Sequence, residues 1–493
     1  MNTALASKAD AATAATKQYV DDAIAAIPTS SGSGDASNLG TDSAGHIVVV
    51  GDDGNISASD TTEDNLIEAL IRSGVYQAKN AVGLDINYQD KSFIRTQEAA
   101  SFEIGTDFDV YPMYGGRKRC NVADNGIITA FYGDANYKDD GTNGQVMIYQ
   151  PKFYYQRFPL KLENTQKGQA IRRESILISA TEQSGFKLHP LFDAGNGESY
   201  DYVLLPAYEG AVLSDRLYSI AGQQPTTNIT IEAAENYAKA RGAGWHIMNM
   251  QAISANQMLE MIEFGSLNGQ TSLEDGVSNL PATANVNCSA ITGSTAALGN
   301  ATGYAESTIS NNNGTSVTNT TAGTRAISYR GMENPWGNVW QMIGGINIKG
   351  DGQSQGGSPY ICTDFNYSAS TIEDNYEYIG FNLPAIYGWI SALGYGAAKY
   401  DWVLLPIECA SNANSLLPVG DNLWTISGVN ENKILAVGGT YEYKENNGMF
   451  YYAADRNVED SARTNYGARL MYIPTKNAIY QANINKWKAL QGG

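Results

Sequence analysis

At 493 residues, 43% of them hydrophobic, the chain is too long for one ordinary core and rich enough to fill two or three. Its formal charge of −19, and the separation of its short basic clusters Arg117-Lys118-Arg119 and Arg172-Arg173, argue against nucleic acid as a partner. With only 17% charged residues, 51 Gly and 31 Tyr, the composition favours short strands and long loops over helical bundles.

Residues 1–27 read as an Ala-rich helix in which Leu5, Ala9, Ala12, Thr16, Tyr19, Ala23 and Ala26 recur at spacings of four and three, the seam of a short coiled coil. A solvated tail is the competing reading, because such small residues bury little area. The start lacks the basic-then-apolar order of a secretory leader. No apolar run nears the roughly 20 residues that span a bilayer, so no membrane insertion is expected. Pro28 stops the helix, and Thr29-Ser30-Ser31-Gly32-Ser33-Gly34 supplies a hinge. Two small hairpins, around Gly45-His46-Ile47 and Gly54-Asn55-Ile56, complete a segment 28–60. Thr61-Thr62-Glu63-Asp64 then announces a helix carrying Leu66, Ile67, Leu70 and Ile71.

Residues 61–180 form a β-rich module leading into a head at 181–475, with a tail at 476–493. Val146 to Tyr155 and Tyr202 to Pro206 carry aromatic and β-branched residues between Gly, Asp and Pro, the pattern of strands. A helix is predicted over Thr230 to Arg241, with Thr230 as N-cap, Glu232 in the first turn, Lys239 in the last and Gly242 as its stop. A second, Ser254 to Phe264, is expected to bury Met258, Leu259 and Ile262 on one side. Tyr200-Asp201-Tyr202-Val203-Leu204-Leu205-Pro206 and Tyr400-Asp401-Trp402-Val403-Leu404-Leu405-Pro406 read as two similar strands, too brief a match for a repeat. Residues 281–324, rich in Asn, Thr, Ser, Gly and Ala, cannot support a core of their own and read as an insertion or surface arm.

Gly331-Met332-Glu333-Asn334-Pro335-Trp336-Gly337-Asn338-Val339-Trp340-Gln341 resembles the signature of the C-type-lectin-like fold shared by formylglycine-generating enzymes and retroelement variable proteins, with Gln341-Met342 where that signature ends in Glu-Trp. Gly438-Gly439-Thr440-Tyr441 and Tyr466-Gly467-Ala468-Arg469-Leu470 look like that fold's closing strands. Lys17 to Ile24 and the hinge after it resemble the attachment ends of bacteriophage fibre proteins. Arg119 to Gly126, Phe131-Tyr132-Gly133-Asp134, Gly144 to Tyr155, His189-Pro190-Leu191-Phe192, Ala207-Tyr208-Glu209-Gly210, Gln224 to Asn228 and Ala240 to Trp245 are together similar to a module of phage tail proteins. That resemblance spans residues 90–475. It implies an α+β protein: a short N-terminal helical stalk, then a β-rich C-type-lectin-like domain with long loop insertions. It further implies a virion protein made in the host cytoplasm, a homotrimer by fibre analogy, joined to other virion proteins through its N-terminus and binding a bacterial surface glycan or protein.

Catalytic chemistry is sparse. The three histidines, His46, His189 and His246, all precede the signature strands, so those strands cannot supply a His-based triad or metal cluster. Cys120, Cys288, Cys362 and Cys409 lie far apart and read as free thiols. None follows Cys409, so the cysteine pair of the formylglycine-generating enzymes is missing. Glu333-Asn334-Pro335 has the wrong order for calcium-dependent sugar lectins of this fold, and the loop Asp139 to Gly144 lacks the closing Glu of an EF-hand. Glu333 and Asp455 could be imagined as paired glycosidase carboxylates, but nothing fixes their separation. No enzymatic activity, cofactor or metal is expected. A binding face remains. Between the closing strands, residues 440–457 concentrate Tyr, Asn and Arg, the chemistry of recognition loops. The resembling retroelement proteins diversify the corresponding stretch. Tyr441, Tyr443, Asn446, Tyr451, Asp455 and Arg456 are the candidate ligand-binding set, although about half the aromatics on such strands must face the core. The competing reading is a structural or decorating fibre or adaptor protein of the capsid or tail, with a glycan-degrading enzyme behind it.

Overall fold

The computed structural model describes residues 46–50, 56–62, 80–310, 316–319, 321–350, 356–366, 372, 374–410, 419–425 and 431–492. Strands make up 37% and helices 18%, and five α-helices occur among the described residues. The expected α+β class built on a helical stalk is therefore corrected to a β-rich fold of large sheets. No coiled-coil stalk occurs among the described residues. The physical reason lies in the composition, whose aromatic and Gly-rich stretches fit pleated strands and tight turns better than a helical seam. The helix expected at 1–27 falls outside the described residues, as does the hinge.

His46–Val50 and Ile56–Thr62 pair antiparallel, Val48 opposite Ala58 and Val50 opposite Ile56, making one hairpin where two were expected. Thr61 and Thr62 close its second strand instead of opening a helix. The remainder of that expected helix lies outside the described residues.

Ala81–Asn87 is hydrogen-bonded between Ser92–Gln97 and Gly168–Ser179. Gly168–Ser179 pairs in turn with Tyr154–Thr165 and, through Gln169 and Ala170, with Gly388–Tyr395. The ladder continues through Asn422–Thr425, Gly448–Ala454, Lys433–Gly438 and Trp340–Lys349 to Ser358–Cys362 and Tyr376–Tyr378, in a sheet of 14 strands. Hydrogen bonding thus runs without a break from the module before residue 180 into the head after it. A second sheet of six strands is ordered Trp245–Ile247, Leu470–Tyr472, Tyr202–Pro206, Gln145–Pro151, Lys118–Val122 and Ile128–Phe131. The strand expected from Val146 to Tyr155 is two, parted at Lys152 and Phe153.

The helix Ile231–Lys239 has the predicted cap, with Thr230 Oγ1 accepting from Ala233 N at 3.2 Å. The second helix begins earlier than expected, at Met250, because Asn249 Oδ1 caps Ala252 N at 2.9 Å. It ends at Phe264, with Gly265 in the left-handed conformation. It is also buried on every side, all of its residues except Phe264 being inside, where one apolar face was expected. A helix buried all round is a core element rather than a surface cover, and its polar residues need partners, described below. The tail docks: Ala478–Leu490 is a helix, with Trp487 stacked on Tyr149 at 5.1 Å and its indole N–H donating to Gly116 O at 2.7 Å.

The expected pair of similar strands is not formed. Tyr202–Pro206 is a strand, but Asp401 to Leu405 is not. There most of the carbonyls are met by side chains rather than by a ladder. Arg157 Nη1 donates to Asp401 O and Val403 O, Ser254 Oγ to Trp402 O, Tyr452 Oη to Leu404 O and Gly394 N to Leu405 O. With its acceptors satisfied this way, the segment has no need of a neighbouring strand.

Candidate binding site

The three signature segments meet. Trp340 and Gln341 pair in parallel with Tyr466 and Gly467, Gln341 pairs antiparallel with Val437, and Gly337 N donates to Gly438 O at 2.9 Å. The turn that permits this uses left-handed backbone at Asn334, Gly337 and Asn338. At Gly337, a Cβ would stand 2.5 Å from Val277 O, so no larger residue fits there. Asn338 exchanges hydrogen bonds with Ala290 and donates to Glu209 Oε2 at 2.6 Å. Arg469, with no exposed surface, donates to Glu333 O and Asn334 O.

Glu333 is a buried strut. Gly293 N donates to one oxygen, and Thr295 N and Oγ1 to the other, all within 2.8 Å. These donors come from the region 281–324, expected as a surface arm. Its early part is instead packed onto the signature turn, Ala290 being fully buried. In the loop Asp139 to Gly144, Asp139 Oδ1 accepts from Tyr137 Oη and Tyr208 Oη, and Asp140 Oδ1 from Thr142. Among the described residues, no group of three or more His, Cys, Asp or Glu is placed to hold a metal ion. No helix among them is long and apolar enough to cross a membrane. The four cysteines are free, and burial pushes the Cys362 thiol up to about 12.

The candidate set divides. Tyr441 is 2% exposed and packs with Val277, Leu280, Ala290 and Ala326, its hydroxyl donating to Val286 O at 3.2 Å. Tyr451 is equally buried. Its strand, Gly448–Ala454, is covered on both faces, and its ring lies 4.4 Å from that of Trp340. Neither offers free surface to a ligand. Asn446 stands on a single turn, Lys444–Asn446, whose Lys444 O accepts from Gln270. The Asn446 backbone N donates to Tyr443 O at 3.0 Å, but no side-chain contact joins it to the others.

Tyr443, Asp455 and Arg456 do come together. Tyr443 is 37% exposed and edges onto Tyr451 and Trp340, with centroids 6.1 and 6.3 Å away. Asp455 is held by three groups. Tyr466 Oη donates to Oδ1 at 3.2 Å, Trp424 Nε1 to Oδ2 at 3.1 Å, and Arg456 Nε lies 3.0 Å from Oδ2. The carboxylate is almost wholly covered, and burial raises it above the ordinary Asp range despite the Arg456 charge. Arg456 stays partly exposed and reaches Asp460 Oδ2 at 3.0 Å. Beside it, Asn465 Nδ2 donates to Glu442 Oε1 at 3.1 Å.

Two residues absent from the candidate set complete this surface, Trp424 and Tyr387, whose rings lie 5.0 Å apart. Trp424 could have been read from the alternation in Asn422-Leu423-Trp424-Thr425, where Leu423 and Thr425 are buried and Trp424 points out. For Tyr387 there is no local signal. The chain matches no protein-family model and no curated protein sequence.

Proposed function

We propose that the protein is a bacteriophage virion fibre protein whose folded head binds a receptor on the host-cell surface, without catalysing a reaction. The observation that carries this reading is the cluster of partly exposed aromatic and charged groups Tyr443, Arg456, Trp424 and Tyr387, with Trp424 on the strand Asn422–Thr425 and the other three in segments that flank hydrogen-bonded strands. Aromatic and Arg side chains on a rigid support lose little entropy on binding and dominate recognition surfaces. The resemblance to phage tail proteins supplies the setting. A homotrimer, attached to the particle by other virion proteins, would multiply a weak single-site affinity.

Binding of labelled full-length protein to intact host cells tests this. Saturable binding that falls in a Tyr443→Ala, Arg456→Ala double variant of unchanged melting temperature supports the receptor head. Absence of binding by the native oligomer would shift the assignment to a structural component of the virion.

A further inference from the structure

Tyr387 is 61% exposed and Trp424 43%, and their ring planes meet at 36° with centroids 5.0 Å apart. Two large rings side by side in water are an exposed apolar patch of the kind that marks a binding surface. Their positions are fixed by backbone pairing. Gly388 lies opposite Leu423 and Trp389 opposite Asn422, while Leu423 to Thr425 run parallel to Tyr452 to Ala454. The Trp424 ring is also tethered, its N–H donating to Asp455. It therefore presents one fixed face.

Polar groups adjoin the segments that carry the rings. Beyond Trp424 stand Asp455 and the half-exposed Arg456, with Asp460 behind it. The residue preceding Tyr387, Ile386, lines a cavity of about 360 Å³ together with Lys167, Ser391 and Glu408. That volume is at the lower end of the roughly 300–1,000 Å³ typical of small-ligand clefts.

We propose that Tyr387 and Trp424 form a stacking platform for a neutral saccharide of the host surface, with Arg456 and the cavity of Lys167, Ser391 and Glu408 taking its hydroxyls. This rests on the receptor reading above and names its ligand class. A pyranose ring has an apolar face of C–H groups that stacks on an aromatic ring, and a rim of hydroxyls that both donate and accept. Two neighbouring rings with centroids 5.0 Å apart offer adjoining contacts to successive sugar units. Carboxylate and guanidinium groups near the rings give the charge-assisted bonds that hydroxyls accept and donate. Nucleobases also stack, but the −19 charge opposes their phosphates. The same charge disfavours polyanionic glycans. A protein partner would ordinarily need about 800 Å² of continuous surface on each side, whereas two rings with charged margins fit a narrow chain.

The test uses full-length protein against an immobilised panel of neutral bacterial surface oligosaccharides, beside intact host cells. Three variants are compared with the wild type: Trp424→Ala, Tyr387→Ala and, as a control on an exposed tyrosine elsewhere, Tyr304→Ala. The expected result is oligosaccharide binding that falls at least tenfold in the first two, holds in the third, and is accompanied by unchanged melting temperatures. Oligosaccharide binding equal in all four proteins overturns the platform while leaving a receptor head. Cell binding without oligosaccharide binding, abolished by protease treatment of the cells, overturns the saccharide and points to a protein receptor. Failure to bind cells at all removes both proposals.

Discussion

Arg330 grips Glu263 with two parallel hydrogen bonds, Nε to Oε2 and Nη2 to Oε1, each 2.7 Å. Glu263 has no exposed surface, and Tyr329 Oη donates to it as well, at 2.9 Å. Arg330 spends its remaining reach on Asp109 Oδ1 and Gly105 O. One ion pair thereby joins the buried helix Met250–Phe264, the strand leading into the signature turn and the segment 105–110. Removing one member of such a pair leaves the other charged and dry, a loss of about 3–5 kcal/mol. Glu263→Ala is expected to lower the unfolding free energy by that amount, shifting the urea midpoint down in proportion, and Glu263→Gln by less, because the amide keeps part of the hydrogen bonding. An unchanged midpoint in Glu263→Ala would mean that water reaches Arg330 and the network is not sealed.

The same helix carries a second buried carboxylate in the opposite condition. Glu260 has neither oxygen hydrogen-bonded, and burial, with Glu263 nearby, pushes it from 4.5 up to about 8. Asp421, whose field it shares, is raised too, first by its own burial. A raised acid keeps its proton in the folded chain and loses it in the unfolded one, so between pH 4.5 and 8 the folded state binds more protons. Stability must then fall as pH rises through that window, by about 1.4 kcal/mol per pH unit from Glu260. Glu260→Gln should gain on the wild type steadily from pH 4.5 to 8 in thermal melts. A difference that stays flat with pH would refute the assignment.

His189 works the other way. It is fully buried among Phe153, Tyr155, Phe192 and Trp402, and burial lowers it from 6.5 to about 3. Folded, it stays neutral; unfolded, it takes a proton below pH 6.5. Stability is therefore lost as pH falls from 6.5 toward 3, and His189→Asn should lose less over that interval than the wild type. Parallel acid-denaturation curves for the two proteins would count against this.

What was legible in the sequence was local. Thr230 and its acidic first turn set one helix correctly because a cap needs only neighbours within four residues. Illegible was whatever depended on a distant side chain. The near-identical segments at 200–206 and 400–406 part company because Arg157, Ser254 and Tyr452 reach the second and not the first. Asn249 extends a helix one turn beyond its apolar pattern. In the Tyr-rich run, which tyrosines face out depended on sheets covering both sides of Gly448–Ala454. Tyr387 reaches Trp424 only through the pairing of the strand that follows it, Gly388–Tyr395, with Asn422–Thr425.

That division makes Tyr441, Tyr443 and Tyr451 separable by experiment. Tyr441 and Tyr451 are each 2% exposed, so truncating either to Ala removes a buried ring and opens a cavity, a loss of about 3–5 kcal/mol by analogy with other buried aromatics. Burial also pushes the Tyr441 hydroxyl up to about 12, so it stays un-ionised across the neutral range. Tyr443, 37% exposed, rests its edge on Trp340 and Tyr451, and Tyr443→Ala should lose no more than about 1 kcal/mol. Receptor binding is expected to follow the reverse order. At a temperature where all three variants are folded, Tyr443→Ala should bind cells weakly, while Tyr441→Ala should retain its binding despite a lower melting temperature. If Tyr441→Ala bound poorly while folded and Tyr443→Ala bound normally, the recognition surface would have to lie on the face of the head lined by Val286, away from Asp455 and Arg456.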